Sequence, residues 1–276
     1  MKAKRAISVK DILRYKPRVM EFDGRWFDSF GTPEMRGCWL IWGGSGSGKT
    51  RFALQLSKYL TQFGRVAYNS LEEGLSFSMQ QAIEEIGMSE VSKRFVLLDR
   101  EPITSEEFTS KRYIRGVKAF LGGLMVDDNS SRIVAEVMGL ITSPAPLPSP
   151  QRGETAHAGE FAHARAKKRK EITCLIDRLE RRGSPDVVVI DSIQYAELDK
   201  NTTKKLTTMF PDKLFIFVSH AEGRNPAGRT ASAVRFDADL KLFVDVREIP
   251  SPVSRFKRGG CLPFVIWEDK NDKTIN

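Results

Sequence analysis

Residues 42–50 read WGGSGSGKT and lie between the apolar run CWLIW (38–42) and the helical pattern TRFALQLSKYLTQFG. This stretch constrains the fold more than any other. A buried strand, a glycine-rich turn and a helix start follow one another directly, which is the opening unit of a parallel α/β sheet. Further along, Phe52, Leu56, Tyr59, Leu60 and Phe63 fall on one helical face, and Gly64 supplies a stop.

The same alternation continues. RVAYNS (65–70), RFVLLD (94–99), DVVVID (186–191) and LFIFVSH (214–220) are nearly continuous apolar runs. Strands covered on both faces have this character. LSFSMQQAIEEIGM carries Phe77, Ile83 and Ile86 ahead of Gly87, and EITCLIDRLERRG carries Ile172, Leu175, Ile176 and Leu179 ahead of Gly183. Both spacings predict helices, the second over 171–182. At the C-terminal end, DLKLFVDVREI (239–249) and CLPFVIWE (261–268) flank the basic stretch PSPVSRFKRGG. The pattern predicts a β-hairpin that extends the sheet, with the hairpin strands at those two apolar runs.

One region departs from the alternation. About 70 residues separate Arg100 from the helix predicted at 171–182, where a short connection would suffice. Residues 105–141 have helical spacing, with Phe108, Val117, Phe120, Leu121 and Leu124 followed by Ile133, Val137 and Leu140. Residues 143–170 are rich in Pro, Ala, Gly and charge, a composition that predicts disorder. The expected organisation is a basic arm at 1–20, an α/β domain at 21–268 interrupted by an insertion at 101–170, and a frayed tail at 269–276.

The glycine turn fits G-x-x-x-x-G-K-[ST] at every position: Gly43, then Gly44, Ser45, Gly46 and Ser47, then Gly48, Lys49 and Thr50. Glycines let backbone N–H groups turn inward around phosphate oxygens, and the following helix adds its positive end. Lys49 reaches the β and γ phosphates of a bound triphosphate, and the Thr50 hydroxyl can ligate Mg²⁺. Asp191, at the end of DVVVID, is placed to orient the same ion. YNSLEEG (68–74) follows the second strand, so Glu72 or Glu73 can orient an attacking water.

Composition narrows the partners. The 276 residues carry a formal charge of +9 with pI ≈ 9.5, a balance that favours polyanions such as nucleic acid. Cys38, Cys174 and Cys261 have no metal-ligand spacing and suit reduced thiols in a cytoplasmic protein. His157 and His163 have no carboxylate or thiol arranged with them for a metal site. No apolar run approaches the ~18 residues that span a bilayer, and MKAKRAISVKDILRYK lacks the apolar core of a signal peptide.

These elements, in this order, resemble the RecA superfamily of P-loop ATPases, especially the RadA/DnaB-like branch. VVVIDSIQ is similar to that branch's Walker B strand, and YNSLEEG resembles the strand end that carries the catalytic glutamate, which singles out Glu72. FVSHAEG sits where the family has a polar γ-phosphate sensor, here Ser219 and His220. FDSFGTPEMRGCWLIWGG is similar to the lead-in to the P-loop strand. The chain also resembles small single-domain ATPases of phages and mobile elements. The resemblance spans roughly residues 20–100 and 171–268, the extent of one α/β domain. It implies a mostly parallel twisted sheet flanked by helices, with the LFIFVSH strand between the P-loop and Walker B strands. It also implies ATP and Mg²⁺ at Lys49, Thr50, Glu72, Asp191 and His220.

In such proteins the loops after the Walker B and sensor strands face DNA. The corresponding stretches are YAELDKNTTKKL, with Lys200, Lys204 and Lys205, and AEGRNPAGRTASAVRFD, with Arg224, Arg229 and Arg235. Flexible cationic loops there would contact a phosphate backbone, single-stranded DNA first. Lys241 is the candidate for reaching a neighbouring subunit's nucleotide. A homo-oligomer, a regulatory switch with a protein partner, and a P-loop kinase remain open alternatives.

Overall fold

The computed structural model describes residues 6–104, 172–245, 251–254, 262 and 264–266. The chain divides into two compact units, residues 1–103 with 174–276, and residues 104–173. The predicted helical stretch at 105–141, the predicted disorder at 143–170 and the tail at 269–276 lie outside the described residues.

The larger unit is an α/β fold whose described residues form an 8-stranded, mostly parallel sheet. Its strands are β1 (Gly37–Gly43), β2 (Val66–Ser70), β3 (Phe95–Asp99), β4 (Val187–Asp191), β5 (Leu214–Glu222), β6 (Asn225–Pro226), β7 (Leu240–Val244) and β8 (Ser251–Ser254). The order is β3-β2-β4-β5-β1-β7-β8, with β6 hairpinned onto β5. The strands from β3 to β7 along that path run parallel, and β8 returns antiparallel to β7. Strand β5 therefore lies between the P-loop strand β1 and the Asp191 strand β4, as expected from the resemblance.

Alternate residues of each strand feed opposite faces, which is why the runs are continuously apolar. One face buries Trp39, Ile41, Tyr68, Val189 and Ile216 against α3 (Lys49–Leu60), through Phe52, Leu56 and Leu60. The other buries Leu40, Trp42, Val188, Ile190 and Phe217. It is covered by α5 (Leu175–Leu179), α6 (Lys200–Met209) and α7 (Gly228–Asp237), through Leu175, Leu206 and Val234. Each such side chain contributes roughly 1.5–3 kcal/mol by leaving water.

On the first face, α2 (Gly24–Phe30) stacks Trp26 on Tyr59 of α3, with ring centroids 4.7 Å apart. The Tyr59 hydroxyl donates to Asp23 Oδ1 (2.6 Å) and accepts from the Asp23 backbone N–H (2.8 Å). Burial, and after it the Asp23 carboxylate, push the Tyr59 hydroxyl up to about 12. Tyr59→Phe should lower stability by about 1–2 kcal/mol. The raised pKa sets the sign with pH. The bonds contribute fully below roughly pH 10, where the unfolded tyrosine is also protonated. They are lost as pH climbs through about 12. Urea unfolding should therefore show the gap between parent and Tyr59→Phe closing across that window.

Several expectations need correction. The helix predicted over 171–182 is confined to Leu175–Leu179. Cys174 is extended and buried, and the chain after Glu180 turns towards Gly183, whose φ is 76°. The hairpin strand predicted at 261–268 is instead Ser251–Ser254, with Leu240 opposite Ser254 and Phe243 opposite Ser251. Among the described residues β8 is the last strand of the order, a position that admits Pro252. The apolar residues further on fill the core: Phe264 is 1% exposed and packs on Trp26 at 4.2 Å. In α4 (Phe77–Ile86) the buried residue is Met79, whereas Phe77 is 72% exposed. The basic arm leads into a short helix, α1 (Val9–Arg14), capped by Ser8 and Asp11 and wholly exposed.

The two segments expected as flexible loops are largely helical. Asp199 caps α6 by accepting the Thr202 N–H (2.6 Å), and Thr203 and Leu206 are buried, so Lys204 and Lys205 sit on a helix. The 221–237 stretch continues β5, turns at Gly223-Arg224 into β6, and then forms α7 on buried Ala231 and Val234.

Candidate functional site

Parallel pairing brings the strand ends to one edge. Gly43 is opposite His220 in the β1–β5 pair, and Ser70 is opposite Asp191 in the β2–β4 pair. The glycine turn, the SLEEG turn, Asp191 and His220 therefore meet at the C-terminal edge of the sheet, where α/β folds place ligands.

The turn from β1 into α3 has the form of a phosphate cradle. Gly48, with φ 87°, caps α3 in the left-handed region. A Cβ on Gly43 would collide with the Val244 carbonyl and meet the Ser47 hydroxyl at 2.7 Å, so a side chain there would close the turn. Ser47 is buried, and its hydroxyl has no hydrogen-bond partner among the described residues. Such an orphan suits an anion in the turn. Lys49 Nζ donates to the Gly44 carbonyl at 2.6 Å. Partial burial lowers its pKa, against the upward pull of Asp191 and then Glu72. An ammonium held in this way is ready to exchange its carbonyl for phosphate oxygens.

Asp191 is 5% exposed, and its Oδ2 accepts from Thr50 Oγ1 at 3.3 Å. The same oxygen accepts from the Tyr68 hydroxyl, which is fully buried. Burial pushes the Asp191 carboxyl up to about 6; the Tyr68 bond opposes the shift, and Glu72 and Glu73 add to it. Burial and then the Asp191 charge hold the Tyr68 hydroxyl well above the usual tyrosine value. A hydroxyl and a carboxylate so close suit a small hard cation, which would favour the ionised carboxylate. Among the described residues no group of three or more His, Cys, Asp or Glu is arranged to hold a metal. An ion at Thr50 and Asp191 would therefore complete its shell with phosphate oxygens and water.

The SLEEG turn is fixed from both sides. The N–H groups of Leu71 and Glu72 donate to the Asp191 carbonyl at 2.6 and 3.2 Å. The Arg100 guanidinium donates to the carbonyls of Glu72 (3.2 Å) and Glu73 (2.9 Å). Arg100 itself has φ 49°, a strained value for a non-glycine residue. The Glu72 carboxylate lies 3.1 Å from His220 Nε2. The Glu73 carboxylate instead accepts the Ser78 hydroxyl at 3.3 Å.

Lys49, Thr50, Glu72, Asp191 and His220 thus form one connected group, with Gly43 to Gly48 as its floor. The basic candidates lie apart from it. Arg224 is at the exposed β5–β6 turn, and its carbonyl accepts the Trp42 indole N–H at 3.0 Å, one residue before the glycine turn. Arg229 is exposed in the first turn of α7. Arg235 bonds Asn225 (2.6 Å) and lies over the Trp42 ring. Lys204 lines a cleft with Gly37 and Asp239, at the edge opposite the glycine turn, and Lys205 is exposed beside it on α6. Lys241 is mid-strand in β7, opposite Leu40.

Sequence reasoning missed Tyr68, Arg100 and Trp42. Tyr68 carried part of a signal: a tyrosine inside a fully buried strand needs a polar partner, but that the partner is Asp191, at the end of β4, follows only from the sheet order. Arg100 and Trp42 act through backbone contacts that no spacing foretells.

No described helix is long and apolar enough to cross a membrane. No protein-family profile matches the chain, and no curated protein is similar to it at a significant level. Among solved structures, the chain is similar to the KaiC-like protein PH0186 of the hyperthermophilic archaeon Pyrococcus horikoshii OT3. The identity is 17%, the match covers 82% of each chain, and the TM-score is 0.39. It is also similar to the flagellar accessory protein FlaH of Methanocaldococcus jannaschii, at 13% identity and TM-score 0.41, over 83% of this chain and 80% of that one. Likeness at this level speaks of neither activity nor partner.

Proposed function

We propose that the chain is a RecA-like ATPase of the RadA/DnaB-like or small mobile-element type that hydrolyses ATP with Mg²⁺ and acts on DNA in replication or recombination. The observation that carries the reading is the convergence of Lys49, Thr50, Asp191, Glu72 and His220 at one sheet edge. Lys49 and the turn amides bind the β and γ phosphates. Thr50 and Asp191 would hold Mg²⁺, which would supply positive charge to the phosphate chain. Glu72 orients the attacking water and accepts its proton, and His220 steadies Glu72 and meets the γ-phosphate. Glu72 is favoured over Glu73 because Glu73 is engaged with Ser78. The ATPase unit is the 21–268 span with an insertion at 101–170, a division supported by the separate unit at residues 104–173.

Arg224 and Arg229 are the first DNA contacts in this reading. They are exposed, and Arg224 is tied through Trp42 to the strand that ends in the phosphate turn. Lys204 and Lys205 would meet only a strand that continues down the flank of α6. Replacing Arg224 and Arg229 together by alanine should weaken oligonucleotide binding for every sequence. It should also flatten the salt dependence by about two units if both touch phosphates. ATP turnover without DNA should persist. Titration of labelled single-stranded DNA across a salt series, with a slowly hydrolysed ATP analogue present, tests this. DNA affinity that ignores salt, or none, would favour a switch with a protein partner.

A further inference from the structure

Gln194 lies in the 3-10 turn Ile193–Tyr195 that follows Asp191. Its side-chain amide is spent entirely on other segments. Nε2 donates to Ser219 Oγ (2.8 Å) and to the Ala227 carbonyl (3.1 Å), while Oε1 accepts the His220 backbone N–H (3.4 Å). The opposite amide orientation would set oxygen against the Ala227 carbonyl and NH₂ against the His220 N–H, so the network fixes this one. Ser219 is fully buried, and its hydroxyl donates to the His220 carbonyl (2.9 Å), which also accepts the Ala227 N–H (2.8 Å). The His220 ring, 3.1 Å from Glu72, is therefore carried by the end of β5, which pairs with β1 on one side and is tied by this amide to the turn after Asp191. Gln194 is itself exposed, where a glutamine ordinarily bonds water, so its contribution to fold stability is small.

We infer that Gln194 is a positioning residue for turnover, fixing the Ser219–His220 end of β5 so that His220 stays on Glu72. The inference rests on the hydrolysis reading above. Gln194 has no contact with Lys49, Thr50 or the Asp191 carboxylate among its hydrogen bonds, so its loss should act on kcat and spare nucleotide binding.

The experiment measures kcat, KM and the Kd of a slowly hydrolysed ATP analogue for the parent chain, Gln194→Ala, Ser219→Ala and the double variant. Gln194→Ala should lower kcat about 10- to 100-fold, as misplacement of a reacting group does. KM and Kd should stay within about threefold. Because the two side chains act as a unit, the double variant should be little worse than the poorer single one. An unchanged kcat overturns the inference, as do losses that multiply in the double variant or a fall in kcat matched by an equal loss of affinity. A parent chain that binds ATP and releases no phosphate overturns the hydrolysis reading, and the positioning role with it. A parent that turns over while Gln194→Ala keeps pace overturns the positioning role alone.

Discussion

Lys49→Ala is expected to lower kcat/KM for ATP by about 100- to 1,000-fold, the loss seen when a main electrostatic contact to a reacting group is removed. At roughly 4 Å from a phosphate oxygen, with an effective dielectric near 20, a unit charge contributes about 4 kcal/mol, which is close to three powers of ten in rate. The Lys49 amine is already partly desolvated, so little of that gain goes to stripping water from it. The fold should survive. Lys49 is the first residue of α3, alanine is an excellent helix former, and the bond given up is a single donation to Gly44. Calorimetric titration with a slowly hydrolysed analogue, alongside a thermal melt, separates lost binding from lost folding. An unchanged melting temperature with heat of binding gone is the expected pair. Full affinity in the variant would mean that the phosphates lie elsewhere.

Glu72→Gln is expected to behave differently. The amide keeps the shape and can still meet His220, so ATP binding should hold within a few-fold of the parent. Turnover should fall about 100- to 10,000-fold, because the group that takes the proton from water is gone. Glu73→Gln should remain near the parent rate, since Glu73 is bonded to Ser78. Quenched-flow measurement of phosphate formed on the enzyme, for both variants, tests the assignment. The reverse pattern would transfer the role to Glu73.

Legibility of the fold followed burial. The runs CWLIW, RVAYNS, RFVLLD, DVVVID and LFIFVSH each correspond to a strand within a residue or two at either end. Four of them lie inside the sheet order and are mostly buried on both faces, while β3, at the end of the order, leaves Val96 47% exposed. Gly87 ends α4 in the left-handed conformation, with φ 70°. Helices α6 and α7 were hidden for the opposite reason. KNTTKKLTTM buries only Thr203 and Leu206, and GRTASAVRFD only Ala231 and Val234, so neither shows an apolar stripe. Their arginines and lysines looked like loop cations for the same cause. At the candidate site, Lys49, Thr50 and Asp191 were legible because the chemistry demands fixed residue types at strand ends. The contacts of Tyr68, Arg100 and Gln194 depend on which strands become neighbours, and the order β2-β4-β5-β1 is a tertiary outcome.

In the proposed reading, water attacks ATP at the Glu72–His220 edge. That attack is tested most directly by following inorganic phosphate released from ATP by the full chain, with Mg²⁺ present and no added acceptor, beside the Glu72→Gln variant. Repeated turnover in the parent, release of phosphate as the free ion, and near silence in Glu72→Gln with ATP still bound are expected. ATP bound intact by the parent, or phosphate appearing only when an acceptor is supplied, would contradict the proposed reading.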